Sequence, residues 1–271
     1  MSDDDVVLCS IEGGVATLTL NRPTANNAWI GAMQVRYFDL LRECEADPGV
    51  RAIVVTGAGK SFCPGADMDM LSAAGQARGL AAPPPTSRSA EKREPLPGYT
   101  PMLINKPMIG AINGACAGVG LVQALMFDVR IAAAGAKFTI AFSRRGLIAE
   151  YGSAWLLPRM VGHSNALDLL MSSRIVLAEE ALQLGLVNRV VPKDQVLAES
   201  LAYAHDLADN CCPTSMSIMK QQVLADYFRT LPEAVAVADR EMHASIGRAD
   251  FKEGVASYLQ RRPPAFAPLA N

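Results

Sequence analysis

Neither sign of charge dominates this sequence. Lys and Arg number 25 against 27 Asp and Glu, and charged residues make up only 19%, so the basic footprint of a dedicated nucleic-acid binder is missing. No apolar run reaches the length of a membrane span. Histidine is scarce: His163, His205 and His243 stand apart, with no HExxH spacing and no CxxC pair, which argues against a catalytic metal. His163, after Gly162, reads as a helix start, and the other two as helix-surface or interface residues. A GxSxG elbow is absent too, and with it the nucleophile of an α/β hydrolase. Two glycine clusters fail as nucleotide loops. Gly57-Ala-Gly-Lys-Ser61 has Val54 where a phosphate loop needs glycine and Phe62 where a dinucleotide loop does, and Gly118-Val-Gly120 has Gln123 at the third glycine position.

What is present suffices for one large core with a helical extension. The chain has 271 residues, 50% of them hydrophobic, which is too apolar for disorder. Six cysteines (Cys9, Cys44, Cys63, Cys116, Cys211 and Cys212) in a chain of this length read as reduced thiols. The first residues, Met1 to Asp5, are acidic where a signal or transit peptide would be basic, so the expected location is cytoplasmic.

Val6–Ser10 and Val15–Leu20 read as two strands around a turn at Gly13-Gly14, followed by a helix over about Ala28–Cys44 with Met33, Tyr37, Leu40 and Leu41 on one face. Ala52–Thr56 and Met108–Ile112 are wholly apolar, as strands buried on both sides are, and Asp128–Ala132 reads as a third such strand. Alternating strands and helices make residues 1–195 an α/β unit with crossover connections. Leu186–Val191 is a last strand or an extended connector. Residues 196–271 read as a helical region, with amphipathic helices over 197–209, 214–227 and 233–246 and a closing one over 251–260. Residues 72–101, rich in Pro and charge, interrupt the α/β half as a long loop, expected to be a lid beside a site.

Two glycine-containing segments follow two of the buried strands: Ser61-Phe-Cys-Pro-Gly-Ala-Asp-Met68 and Asn113-Gly-Ala-Cys-Ala-Gly-Val-Gly120. Each alone reads as tight turns and close packing. Together they offer bare backbone N–H groups on separate loops, the second leading into an apolar helix at Leu121–Phe127 whose dipole favours developing negative charge. Aimed at one point, such donors make an oxyanion hole.

These segments, with Leu20-Asn-Arg-Pro23 and Asn27-Ala28 before them and Lys106–Gly114, Gly185–Pro192 and Asp250–Ala256 around and after them, resemble the enoyl-CoA hydratase/isomerase (crotonase) family in order and spacing, over nearly the whole chain. The resemblance implies ββα units wound into a spiral, with C-terminal helices that form a homotrimer or a hexamer. It implies an acyl-CoA thioester substrate, coenzyme A being part of the substrate rather than a separate cofactor. The oxyanion donors would be the amides of Ala66 and Val119. Arg22, Ala66, Asp67, Met68, Val119 and Tyr151 would line the substrate and CoA site, although Arg22 also reads as a plain surface residue after a strand. Lys252 reads as a helix charge that the family places near a neighbouring subunit's nucleotide.

Family hydratases hold water with two glutamates, one three residues after the second donor and one about twenty further on. Those positions are Val122 and Phe142, which carry no proton. Glu150, a lone acid in an apolar stretch, reads on its own as a helix-start acid. In the resemblance it matches the acid of double-bond isomerases and aroyl-CoA dehalogenases, and becomes the expected base for a Δ3 to Δ2 enoyl-CoA shift. Apolar surroundings would raise its pKa, and the Tyr151 hydroxyl would orient it. Asp69 reads as solvated, Asp128 as structural, Glu43, Glu45 and Asp47 as an exposed helix end, and Trp29 and Trp155 as core or pocket wall. The alternatives are an enoyl-CoA hydratase with an atypical carboxylate set, a thioesterase or dehalogenase, and a non-catalytic acyl-CoA binder.

Overall fold

The computed structural model describes residues 3–76 and 96–269. It opens with a hairpin of β1 (Val7–Glu12) and β2 (Val15–Leu20), antiparallel with Val7 opposite Leu20. Gly13 and Gly14 turn the chain at φ 53° and 77°, a region that glycine enters without strain. Two left-handed residues, Asn26 and Asn27, lead into a bridge between Trp29 and Ala66 that occupies the stretch where the apolar pattern predicts the first helical turn. Helix α1 (Gly31–Ala46) therefore starts three residues late, and buries Met33, Tyr37, Phe38, Leu40, Leu41 and Cys44.

Next come β3 (Ala52–Gly57), α2 (Met68–Gln76), β4 (Met108–Ile112), the two-residue β5 (Cys116–Ala117), α3 (Val119–Leu125), β6 (Val129–Ala133) and β7 (Lys137–Thr139). Then follow α4 (Ser153–Val161), α5 (His163–Ser172), β8 (Val176–Leu177), α6 (Ala178–Gln183) and β9 (Arg189–Val191), and last α7 (Val196–Asn210), α8 (Pro213–Asp226), α9 (Leu231–Ile246) and α10 (Ala249–Gln260). The main sheet runs β1-β2-β3-β4-β6-β9, and every pair after the first is parallel. A small second sheet, β5-β7-β8, stands beside it.

All residues of β3 and β4 are buried, as continuous apolar strands in a parallel sheet must be. Helix α7 lies across β2, β3, β4 and β6 with Val196, Ser200, Ala204 and Ala208 buried, so a boundary at 195 falls just before a helix that covers the sheet. Of the ambiguous Leu186–Val191, residues 189–191 pair with β6 as an edge strand, while Leu186 and Val187 are a buried connector. Asp128 precedes β6 and is structural: its carboxylate accepts the Met108 N–H at 2.7 Å and the Lys220 Nζ at 2.8 Å. The six cysteines are free thiols. Most of the loop read as a lid, residues 77–95, lies outside the described residues. Among the described residues, no helix is long and apolar enough to cross a membrane.

Candidate active site

Parallel strands deliver their loops to one end of the sheet. After β3 the chain turns through Gly57–Ser61, and two asparagines fix that turn. Asn27, fully buried, donates its Nδ2 to the carbonyls of Ala58 and Ser61 at 2.9 and 2.8 Å while its Oδ1 accepts the Arg22 N–H. Asn113, after β4, donates to the Gly57 and Gly59 carbonyls at 2.7 and 3.1 Å. Sequence reasoning placed both asparagines in motifs without assigning them this role.

The two loops then run side by side. Phe62 and Cys63 donate their N–H groups to the Ala115 carbonyl, and Ala117 donates to the Cys63 carbonyl at 2.8 Å. Contact is so close that a Cβ on Gly114 would lie 2.1 Å from the Lys60 carbonyl oxygen, and one on Gly120 would lie 2.5 Å from that of Cys63. Gly65 and Gly118 also meet, a Cβ on Gly118 falling 3.4 Å from the Gly65 Cα. One residue beyond each of this last pair stand Ala66 and Val119. Among the described residues neither of their N–H groups donates a hydrogen bond, although the Trp29 N–H to Gly65 and Asp67 N–H to Trp29 bonds fasten the chain on both sides of Ala66. Two amides without partners among the described residues, on abutting loops, are candidate donors for an oxyanion hole. Helix α3 begins at Val119 rather than at Leu121, because Gly118, at φ 51°, turns the chain directly into it.

Val122 and Phe142 are buried and apolar. Phe142 packs beside Gly118, its ring 3.9 Å from the point a Cβ on that glycine would occupy. Glu150 lies eight residues further on, directly before Tyr151 and Gly152, which form a left-handed turn at φ 48° and 78° leading into α4. Among the described residues its carboxylate has neither a hydrogen-bond nor an ion-pair partner, and burial raises its pKa above the usual carboxylate range. Burial, then the neighbouring Glu150, also raises the Tyr151 phenol. Among the described residues no hydrogen bond joins the Tyr151 hydroxyl to Glu150. What Tyr151 touches is Gly98, whose carbonyl accepts the Gln123 Nε2 at 3.2 Å. Gln123 and Gly98 went unassigned in the sequence, since a helix glutamine reads as solvent-facing and a glycine in a Pro-rich loop reads as a turn.

Arg22 and Asp67 form an ion pair, and Met68 is exposed at the start of α2. Asp69 is exposed, and Trp29 is buried edge-on to Tyr37 at 5.6 Å. Trp155 stacks on Phe228, just beyond α8, with the Arg159 guanidinium 4.0 Å from its ring centre. Among the described residues, no three His, Cys, Asp or Glu side chains are grouped as a metal site requires. A concave surface of about 480 Å³ lies among the C-terminal helices, lined by residues such as Arg248, Phe251, Tyr258 and Phe266, and includes none of the predicted site residues.

Residues 10–268 match the sequence profile of the enoyl-CoA hydratase/isomerase family. The 1,2-epoxyphenylacetyl-CoA isomerase of Escherichia coli (strain K12) is 34% identical, with 97% of this chain and 98% of that protein covered. A probable enoyl-CoA hydratase of Rhodobacter capsulatus is 36% identical over 94% of this chain and 95% of its own. Among solved structures, a probable enoyl-CoA hydratase/isomerase from Mycobacterium abscessus superposes with a TM-score of 0.84 at 29% identity, covering 97% of this chain and 99% of that one. The enoyl-CoA hydratase EchA12_1 from Mycobacterium marinum is 45% identical with a TM-score of 0.68, covering 83% and 100%.

Proposed function

Since this chain belongs to the enoyl-CoA hydratase/isomerase (crotonase) family, we propose that it is an acyl-CoA isomerase that moves a double bond from the β,γ to the α,β position, with Glu150 as its proton carrier. Glu150 removes a proton from the α-carbon of the thioester. The electron pair moves into the thioester carbonyl, and the Ala66 and Val119 N–H groups hold the resulting oxyanion. The same carboxylic acid then returns the proton at the γ-carbon, leaving the double bond in conjugation with the carbonyl. Arg22, Asp67, Met68 and Tyr151 are proposed to line the CoA and acyl site. The apolar side chains exposed on and between α8 and α10, including Phe228, Leu231, Tyr258 and Leu259, are proposed as the contact of a trimer or hexamer, to be checked by light scattering.

One observation carries this reading: the hydratase glutamate positions hold Val122 and Phe142, while Glu150 is a carboxylate without a partner among the described residues and with a raised pKa. A single base suffices for a 1,3-shift, whereas the family's way of holding water needs two carboxylates. A second substrate class for the same base comes from the E. coli relative, which is named for an epoxide of phenylacetyl-CoA. The test is turnover of 3-enoyl-CoA, 2-enoyl-CoA and 1,2-epoxyphenylacetyl-CoA by wild type and Glu150→Gln. Loss of isomerisation in Glu150→Gln is expected; full isomerisation without the carboxylate, or strong hydration by wild type, overturns the assignment.

A further inference from the structure

Tyr151 has an unusual backbone for an aromatic residue. Its φ of 48° is in the left-handed region, where a bulky side chain is strained, and such a residue persists only where its surroundings fix it. The next residue, Gly152 at φ 78°, continues the left-handed turn at no such cost. The turn leads directly from Glu150 into α4, so any relaxation of Tyr151 swings the carboxylate attached one peptide before it.

What holds Tyr151 is visible on its ring. A Cβ built on Gly98 would lie 2.0 Å from the ring Cδ1 and 2.4 Å from Cε1. No side chain fits there; the ring rests on bare backbone. That backbone is itself pinned. Gln123, only 2% exposed, donates its Nε2 to the Gly98 carbonyl from within α3. Thr100 closes the turn from the other side, its N–H and hydroxyl both bonding the Pro97 carbonyl, at 2.9 and 2.6 Å. Among the described residues the buried Gln123 Oε1 has no partner, so there only one end of this amide is satisfied. A leucine would fill the same volume without that penalty, which marks the bond to Gly98 as the role of the glutamine.

We propose that Gly98 and Gln123 are positioning residues for Glu150, acting through the ring of Tyr151. The inference rests on the reading of Glu150 as the base. Gln123 sits four residues after Val119 on the helix that carries the second oxyanion donor, so the tether spans from the hole to the base: Val119, Gln123, Gly98, Tyr151, Glu150. Base and hole are then set by one chain of contacts rather than independently.

The experiment is steady-state isomerisation of a 3-enoyl-CoA by Gly98→Ala, Tyr151→Ala, the double variant, Gln123→Leu and Glu150→Gln. Gly98→Ala is expected to lower kcat by about 10- to 100-fold, the scale of an ångström-sized misplacement, with KM changed less than about two-fold. Combined with Tyr151→Ala, it adds nothing further, because the ring it collides with is gone; the fall in kcat at nearly constant KM is what a merely structural role does not give. Gln123→Leu, which adds no bulk, lowers kcat in the same direction and carries the test if Gly98→Ala does not fold. Wild-type kcat in Gly98→Ala and Gln123→Leu, or multiplicative losses in the double variant, overturns the positioning role while an inactive Glu150→Gln keeps the base. An active Glu150→Gln removes the base itself.

Discussion

Arg22 and Asp67, 45 positions apart, are joined by both terminal guanidinium nitrogens at 3.2 Å from one carboxylate oxygen, Oδ2. The other oxygen, Oδ1, accepts the Asp69 N–H at 3.1 Å, in the first turn of α2. Arg22 in turn donates to the Ala28 carbonyl. Asp67 thus ties the loop that carries Ala66 to the end of the opening hairpin and to the helix that follows.

Asp67→Ala loses both ties. The helix cap contributes about 1 kcal/mol and the ion pair, with each side chain 20% exposed, about another 1 kcal/mol. Urea denaturation at neutral pH is expected to give a loss of this size. Asp67→Asn, which keeps a capping oxygen, loses less. Equal losses in both variants would show that the cap contributes nothing.

Gly120→Ala forces the two loops apart, because its Cβ would meet the Cys63 carbonyl oxygen at 2.5 Å and the Sγ at 2.7 Å. Losing one oxyanion donor costs about 10²- to 10³-fold in kcat, and a drop in that range is expected with a folded protein by circular dichroism. Adding Cys63→Ala does not restore the rate, since the nearest obstacle is backbone. Restoration would mean that the thiol alone sets the spacing.

Glu150 gives the enzyme a pH signature. Its folded pKa is raised by burial, so ionising it costs stability that the protein keeps while the acid is protonated. The cost is absent below the ordinary carboxylate value, appears as pH rises towards the raised folded value, and is complete above it. Glu150→Gln is therefore expected to be more stable than wild type at pH 8 and to match it at pH 4, by thermal denaturation. The acid limb of wild-type kcat is expected above the ordinary carboxylate range.

Cys9, on β1, is the thiol to react first. A hydrogen bond from the Cys44 thiol brings its pKa down to about 7; the same bond, and then burial, raises Cys44, while burial raises Cys63 and Cys116. Alkylation by iodoacetamide, followed by peptide mass, is expected to label Cys9 half-maximally near pH 7. In Cys44→Ala the midpoint moves up; an unmoved midpoint excludes the Cys44 bond as its cause.

Much of this was legible in the sequence for a simple reason. β3 and β4 are buried on both sides and therefore written as unbroken apolar runs, and the glycines at 65, 118 and 120 sit where backbone meets backbone. The second sheet was not legible, because β5 and β8 are two residues long and pair with β7 across long separations, too short to display any period. By resemblance Asp67 is expected to line the CoA site, yet its carboxylate has two protein partners, and no local pattern announces a partner 45 positions away. Tyr151 draws the eye through its hydroxyl; the contact that matters is made by its ring, with a glycine whose neighbours in sequence suggest only a loop.

The two proposed amide donors belong to the main chain, and so no codon specifies them. Substituting alanine 66 or valine 119 changes the walls around the thioester but leaves a nitrogen and its hydrogen in place. On the proposed reading, what distinguishes one reaction from another on this scaffold is written in side chains rather than in those amides, with positions 122, 142 and 150 as the candidates. A small library at those three positions, screened on several acyl-CoA thioesters, samples new chemistries while the part that is hardest to build stays as inherited.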